Sequence, residues 1–164
     1  MRVCLALLLV PLLSPPALAE PVCQPSVDAT GAALNAVRAR AQQCGERLWP
    51  AATGLRASPV LAEAARRYAQ ELAARDRIDH TGAAGSSLRT RLREAGYAMK
   101  VSGENLAGGP ETLDEALAQW LDSPAHCENL MLAEFQEFGL ACVSGPGQFR
   151  HYWVLHLAAP QAKK

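Results

Sequence analysis

The chain has 164 residues, 49% of them hydrophobic, and carries 16 Lys and Arg against 16 Asp and Glu. The two signs of charge are interleaved, which excludes the basic surface of a nucleic-acid-binding protein and gives no electrostatic attraction to an anionic membrane. A chain of this length is expected to form one domain with a full hydrophobic core.

The first 19 residues have the pattern of a secretory signal peptide. Arg2 precedes an apolar run at residues 5–13, and small residues stand at Ala17 and Ala19. The apolar run is too short for a permanent membrane span, and no later stretch reaches the roughly 20 apolar residues that a span needs. We expect cleavage near Ala19, export to the periplasm or the cell exterior, and a mature chain without a membrane span.

Four of the five cysteines lie beyond the cleavage point, and export would place them where disulfides persist. They are Cys23, Cys44, Cys127 and Cys142. No CxxC spacing indicates a structural zinc or a redox dithiol. Four cysteines allow three pairings. Their grouping favours Cys23–Cys44 and Cys127–Cys142, because each bond would close a short loop.

The mature chain is predicted to begin with an extended segment at residues 20–32, which contains two prolines. A first helix follows at residues 34–41 and ends before Gly45. Ser58 and Pro59 then provide an N-cap and a first helical residue for a second helix, which ends around Asp76. Its apolar residues recur at helical spacing. They are Leu61, Ala65, Tyr68 and Leu72.

Two more helices are predicted in the second half of the chain. One covers residues 87–95 and ends at Gly96, in the manner of a helix C-cap. The other begins with Thr112 and Glu115, which form a capping box. Ser123 and Pro124 end this helix and start a new turn.

After Met131 the pattern changes to strands. Every second residue from 138 to 142 is apolar, namely Phe138, Leu140 and Cys142, which is the period of a strand. A turn follows at residues 144–147, and a second apolar run covers residues 149–159. Both alternate sets of the second run are largely apolar or amphipathic, which predicts a strand covered on both faces. Helices followed by an antiparallel hairpin predict an α+β domain with helices on both sides of a small sheet.

The histidines are the first candidates for chemistry. His80 stands where the second helix gives way to a Gly-rich loop, and His126 follows the helix-stopping Ser-Pro. Glu104 is preceded by Gly103, which permits close backbone approach. Imidazoles and carboxylates converging from separate loops would form an open divalent-metal site. The alternative is that these are surface or helix-capping residues, since their spacing lacks a local ligand signature such as HExxH.

The remaining signals argue against a nucleophilic enzyme. The chain has no GxSxG elbow, P-loop or GxGxxG, and no SxxK with its usual companions. A Cys127–His126 dyad is disfavoured, because adjacent helical side chains diverge and export favours a disulfide for Cys127. His151 and His156 lie in the apolar second strand and are predicted to be packed, hydrogen-bonded residues.

From Leu34 to Ala159 the chain resembles the CAP superfamily, named after cysteine-rich secretory proteins, antigen 5 and pathogenesis-related 1 proteins, and in particular its exported bacterial branch. The resemblance rests on HTG at residues 80–82, GEN at 103–105, W-L-x-S-P-x-H at 120–126 and the closing aromatic strand, in that order. It implies a three-layer α-β-α sandwich with a small, mainly antiparallel sheet. The SCP domain of this superfamily would cover residues 33–160, followed by a short tail at 161–164.

The resemblance also implies a central cleft lined by two histidines and two acids. Its motifs map onto His80, Glu104 and His126. Glu137 is our choice for the second acid, because it stands at the head of a strand leading from the cleft side. The chain lacks the GHxTQxxW motif in which eukaryotic members carry their own second histidine. The alternatives for the second acid are Glu134 and Glu128.

Members of this superfamily bind divalent metals such as zinc in the cleft, and some bind sterols or other lipids. The first hypothesis is therefore an exported, monomeric binding module that holds a divalent metal and contacts a small lipid or an extracellular or cell-wall ligand. The second is a peptidase, cell-wall hydrolase or lipid-ester hydrolase, in which Glu104 or Glu137 activates a water held by His80 and His126 or by their metal. The third is a structural or adhesive secreted protein with a silent cleft.

Overall fold

The structure is a computed structural model that describes residues 23–162. The predicted signal peptide lies outside the described residues. The elements in chain order are α1 (Val27–Arg38), β1 (Gln42–Cys44), β2 (Arg47–Trp49), β3 (Arg56–Ala57), α2 (Pro59–Arg75), a short 3-10 turn (Ala83–Gly85), α3 (Leu88–Glu94), β4 (Met99–Gly108), α4 (Leu113–Asp122), α5 (Pro124–Met131), β5 (Glu137–Ser144) and β6 (His151–Pro160).

The central sheet has four strands in the order β3-β5-β6-β4. Strand β3 pairs with β5 in parallel, whereas β5 and β4 both pair with β6 in an antiparallel manner. Residues 151–159 of β6 are all buried, which confirms the prediction of a strand covered on both faces. The sheet is thus small and mainly antiparallel.

Helices cover both faces of the sheet and complete an α-β-α sandwich. On one face, Trp153 of β6 packs in a cluster with Leu34 of α1, Trp120 of α4 and Leu130 of α5. On the other face, the neighbouring residues of β6 pack against α2. The members of that second cluster are Ala65, Tyr68, Ala69, Leu72, Leu106, Ala141, Tyr152 and Val154.

The helix ends predicted from capping residues are confirmed. The Ser58 side chain accepts from the Leu61 N–H, and α2 ends at Asp76 in the left-handed conformation. Thr112 and Glu115 form both hydrogen bonds of the capping box at α4. Such caps stabilise by about 1 kcal/mol each, and they depend on residues only three apart.

The N-terminal prediction is wrong in its boundaries. Helix α1 begins at Val27 rather than at residue 34, because the Ser26 side chain accepts from the Ala29 N–H and caps it. It ends at Arg38, whose buried guanidinium donates to the carbonyls of Thr53, Leu130 and Leu132. The helix stops short of residue 41 because the Arg38 carbonyl accepts from the Ala52 N–H at 2.8 Å instead of from a further helical turn, and a β1–β2 hairpin follows it.

The predicted disulfide pairing is also wrong. The bonds are Cys23–Cys142 and Cys44–Cys127, with Cα–Cα distances of 5.7 and 5.4 Å. Cys44 packs with Cys127 and Met131 beneath the hairpin, which ties α5 to β1. Loop length is a poor guide here, because the entropy of closing a loop grows only slowly with its length.

Removing the Cys44–Cys127 bond is expected to lower the free energy of unfolding by about 2–5 kcal/mol, because it closes a loop over a sequence separation of 83 in the unfolded chain. The test is urea unfolding of the Cys44→Ala/Cys127→Ala double variant. Peptide mapping without reduction should recover the Cys44–Cys127 and Cys23–Cys142 peptides, and a Cys127–Cys142 peptide would contradict the structure.

Candidate functional site

The site is built around Glu104, in the middle of the edge strand β4. Glu104 lies opposite His156 of β6, so their side chains share one face of the sheet. The Glu104 side chain is 3% exposed, and its Oε2 is 3.0 Å from His156 Nε2. The sequence-based expectation placed Glu104 on a loop, whereas the structure places it on a strand.

Arg91 of α3 is the second partner of Glu104. Its Nη2 donates to Glu104 Oε2 at 2.7 Å, and its guanidinium stacks on the Tyr68 ring, 3.4 Å from the ring centroid. Its Nη1 donates to the carbonyls of His80 and Ser86. Arg91 therefore connects the buried carboxylate to the loop that carries His80.

His80 is the exposed member of the site. Its Nδ1 is 2.8 Å from Glu104 Oε1, and 60% of its side chain is exposed. The hydrogen bond that His80 donates to Glu104 raises the pKa of His80, against the opposing effect of its partial burial. Among the described residues, no hydrogen bond engages the His80 Nε2, so this nitrogen remains available to a ligand.

Burial is the largest single influence and raises the pKa of Glu104, but the hydrogen bonds with His156 and His80 and the neighbouring positive charges, Arg91 among them, together outweigh burial and lower that pKa to about 2. Glu104 is therefore an anion at neutral pH. Its two oxygens are already engaged by Arg91 and the two histidines. Its role in this arrangement is to orient His80.

His126 is held by the residue next to Glu104. Because successive strand residues point to opposite faces, Asn105 faces α5, and its Nδ2 donates to the His126 carbonyl at 3.0 Å. Asn105 is fully buried, and its Oδ1 accepts from Asn129 at 3.0 Å. One dipeptide of β4 thus positions both histidines.

Burial lowers the pKa of His126, and the positive charge of nearby His80 lowers it further. The buried Nδ1 of His126 has no hydrogen-bond partner among residues 23–162. The two imidazoles therefore favour different protonation states, with His80 the more basic.

The other predicted acids are not joined to this group. Glu137 begins β5, where it accepts from the Tyr97 hydroxyl at 2.7 Å and from Arg56 at 3.4 Å. Glu134 is exposed, and the described residues show no hydrogen bond from Glu134 or Glu128 to His80 or Glu104. The structure joins His80, Glu104 and His156 by hydrogen bonds, links His126 to this group through Asn105, and leaves Glu137 apart.

Two members of the site were not predicted as such. His156 is fully buried and hydrogen-bonded, as expected, but its partnership with Glu104 depends on the register between β4 and β6. Arg91 had no sequence signal beyond its place in a short helix. His151 is buried as predicted, although its Nδ1 lacks a hydrogen-bond partner among the described residues.

The fit of the site to a metal ion depends on the imidazole nitrogens of two residues, His80 and His126. Within residues 23–162, no group of three or more His, Cys, Asp and Glu side chains is arranged to hold a metal. Arg91 places a positive charge beside Glu104, which opposes direct coordination by that carboxylate. His80 and His126 are the residues that would bind an ion, with Glu104 behind His80.

A cavity of about 540 Å³ adjoins the site between α2, α3 and the loop at residues 83–86. Tyr68 and Arg91 line it, and its loop is held by Glu71, which accepts from the Ala83 N–H at 2.6 Å. The cavity therefore reaches the back of the Arg91–Tyr68 stack rather than the exposed face of His80.

Within residues 23–162, every helix falls short of the length and apolar character needed to cross a bilayer.

Comparisons with known proteins agree with this architecture. The profile of the "Cysteine-rich secretory protein family" (CAP) matches residues 32–157. An uncharacterized protein of Bacillus subtilis, YkwD, is 27% identical over 89 residues, which are 54% of this chain and 35% of the relative. The chain therefore spans about a third of the length of this curated relative.

Two solved structures are similar in fold. An extracellular SCP-domain protein of Bacillus anthracis has a TM-score of 0.66 at 19% identity, over 80% of this chain and 39% of the other. An outer surface protein of Borrelia burgdorferi also has a TM-score of 0.66, at 20% identity, over 85% of this chain and 99% of the other. The matched profile and the shared sandwich fold show that this chain belongs to the cysteine-rich secretory protein (CAP) family.

Proposed function

We propose that the protein is an exported binding module in which His80 and His126 hold a divalent metal such as zinc and contact a lipid or protein ligand. The observation that carries this proposal is the hydrogen bond between His80 Nδ1 and Glu104 Oε1. Metal-binding histidines usually donate their other ring N–H to a carboxylate, which fixes the tautomer and leaves Nε2 for the ion.

The surroundings of Glu104 support the same role. Arg91 and His156 hold the carboxylate in place, and Asn105 holds the backbone of His126. A bound zinc ion would supply a positive charge and open coordination positions, which an oxygen or nitrogen atom of a ligand can fill.

Zinc titration by calorimetry tests the proposal. We expect binding by the wild type and its loss in His80→Ala and in His126→Ala. Glu104→Gln should bind zinc about 10–100-fold more weakly, because glutamine orients His80 less well.

Glu137→Gln is the matched control, because Glu137 bonds to Tyr97 and Arg56 away from the histidines. Its zinc affinity should equal that of the wild type. Equal affinity in the wild type and in both histidine variants would contradict the metal proposal.

Export is part of the proposal and is supported by the signal-peptide pattern of residues 1–19. The solved relatives named as extracellular and outer surface proteins are consistent with it. N-terminal sequencing of protein purified from its own compartment should find a mature chain that starts near Glu20. A chain that retains Met1 would contradict export by cleavage.

A second candidate function is hydrolysis with His80 as general base. A carboxylate that orients an exposed imidazole is a known arrangement for proton abstraction, and the 3% exposure of Glu104 favours His80 over Glu104 for contact with a water. Peptide, ester and peptidoglycan substrates should then be hydrolysed by the wild type and not by His80→Ala. If neither zinc binding, ligand binding nor hydrolysis is found, the structural or adhesive role remains.

A further inference from the structure

Strand β5 has an outer edge that β3 covers only in part. Strand β3 has two residues, which pair with Glu137 and Phe138. The Ser58 N–H then donates to the Phe138 carbonyl at 2.8 Å, and the chain turns into α2. Because β5 continues to Ser144, its second half extends beyond β3.

The register identifies the backbone groups that face this edge. Strand β5 pairs with β6 from Glu137 to Ser144 without a break in register, so its backbone groups alternate regularly between β6 and the outer edge. The hydrogen bond from the Ser58 N–H to the Phe138 carbonyl shows that the backbone carbonyl of Phe138 points to the outer edge, away from β6. Since backbone groups alternate in direction along a strand, Leu140 directs its N–H and C=O to the open edge.

Cys142 confirms this direction, because its N–H donates to the side-chain Oε1 of Gln24 at 2.7 Å. The carboxamide of Gln24 has the same donor and acceptor groups as a peptide bond. In the part of the chain described by the structure, no turn, loop or side-chain hydrogen bond engages the backbone of Leu140. A peptide-like group therefore already occupies one position of the edge, and the neighbouring position is open.

The open edge lies in a groove between α1 and α2 with a volume of about 630 Å³, a size typical of ligand sites. Its floor is apolar and largely shielded, since Leu140 is 5% and Cys142 7% exposed. An unpaired backbone amide in such surroundings is destabilising until it gains a hydrogen-bond partner. The walls include Val27, Thr30, Pro59 and Ala62.

We propose that this groove binds an extended peptide segment of a partner protein, one residue of which pairs with Leu140 beside β5, between the positions that Ser58 and Gln24 already occupy. A lipid tail could fill the apolar space, but it cannot satisfy both the N–H and the C=O of Leu140. An extended peptide supplies both groups at the strand spacing of about 3.3 Å per residue, and peptide recognition by strand addition is common at open sheet edges. The groove is at the β5 side of the sheet, whereas Glu104 is on β4 at the opposite edge, so this site is independent of the metal proposal.

The probe is a library of eight-residue synthetic peptides in which apolar residues alternate with varied ones. We expect members of the library to bind the mature protein and to slow hydrogen exchange of the Leu140 amide, observed by NMR. The backbone N–H groups of an extended peptide alternate between its two edges, and only one edge would face β5. N-methylation of the N–H groups on that edge should abolish binding by a selected library member, whereas N-methylation on the opposite edge should leave binding unchanged.

The groove is tested by Ala62→Arg, which places a long side chain in its wall. Affinity for the selected peptide should fall at least tenfold. Ala74→Arg is the matched control, because Ala74 is an exposed residue of the same helix and does not line the groove. Its affinity should be unchanged, and circular dichroism checks that both variants are folded.

Several results would overturn the proposal. One is that no library member binds, including the case in which palmitate binds instead. Another is that affinity is insensitive to N-methylation on either edge, a result that remains informative if Ala62→Arg fails to fold. A third is that the Leu140 amide is already protected without peptide, which would show that the chain's own residues before Cys23 cover the edge.

Discussion

Replacing Glu104 with glutamine is expected to lower the free energy of unfolding by about 3 kcal/mol at neutral pH. The substitution leaves the Arg91 guanidinium, whose side chain is only 9% exposed, without its anionic partner. Breaking a buried ion pair from one side costs about 3–5 kcal/mol. The pKa of about 2 for Glu104, against about 4.3 in an unfolded chain, gives a similar figure of about 3 kcal/mol.

The pH dependence of this difference follows from the same pKa. Because folding lowers the pKa of Glu104, its ionised form stabilises the fold fully above the unfolded pKa of about 4.3. That contribution disappears as the pH falls toward the folded pKa of about 2. The difference between wild type and Glu104→Gln should therefore shrink below about pH 5. Because Glu104 also raises the pKa of His80, the difference should shrink again as the pH rises above the unfolded histidine pKa of about 6.5 and through the folded pKa of His80.

Urea unfolding followed by circular dichroism at a series of pH values measures this effect. Glu111→Gln serves as a control, because Glu111 is 66% exposed and lies 3.8 Å from the exposed Arg150. Exposed pairs of this kind contribute about 0–1 kcal/mol. A loss in Glu104→Gln no larger than in Glu111→Gln would contradict the buried charge network.

Replacing Gly139 with alanine is expected to destabilise the protein by about 3 kcal/mol or more. Gly139 lies where β5 passes directly beneath α2, and an added Cβ would be 2.1 Å from the Ala62 nitrogen and 2.2 Å from the Leu61 carbonyl carbon. Both atoms belong to the helix backbone, so a rotamer change cannot relieve the contact. Helix α2 would have to move away from the sheet, and overpacking of this kind costs 1–3 kcal/mol and sometimes more.

Gly31→Ala provides the matched control. An added Cβ at Gly31, within α1, would be 3.5 Å from the Phe138 ring, which is ordinary van der Waals contact. Alanine is favoured over glycine inside a helix by about 0.5–1 kcal/mol, so this variant should be as stable as the wild type or more stable. The midpoint of thermal unfolding should fall in Gly139→Ala and should stay the same or rise in Gly31→Ala. A Gly139→Ala protein as stable as the wild type would show that the sheet and α2 are less closely packed than the structure indicates.

Local signals in the sequence predicted much of the fold. The caps at Ser58 and Thr112, the end of α3 near Gly96 and the two-sided burial of β6 all depend on residues close together in the chain, where hydrogen-bond geometry and periodicity are decisive. The same local reasoning missed the start of α1 at Val27. Ser26 caps that helix, but the two prolines before it indicated an extended segment.

The candidate site was predicted only in part, because its geometry depends on register. GEN and HTG singled out Glu104 and His80, but the motifs do not show that Glu104 lies opposite His156 or that Arg91 reaches it from α3. Glu137 shows the converse. Its place at the start of a strand was correctly predicted, while its partners, Tyr97 and Arg56, come from distant parts of the chain.

The sequence by itself thus determined helices α2, α3 and α4, the terminal hairpin and the two histidines with Glu104 as candidates, because caps, periodicity and motifs are local properties. Only the tertiary structure decided which cysteines pair, which carboxylate joins the histidines and which edge of β5 stays open. Those outcomes depend on how α1 and α5 pack on the sheet and on the register of β4, β5 and β6. Contacts of this kind join residues up to 119 positions apart, and their free energy comes from burial in a shared core that no short window of sequence contains.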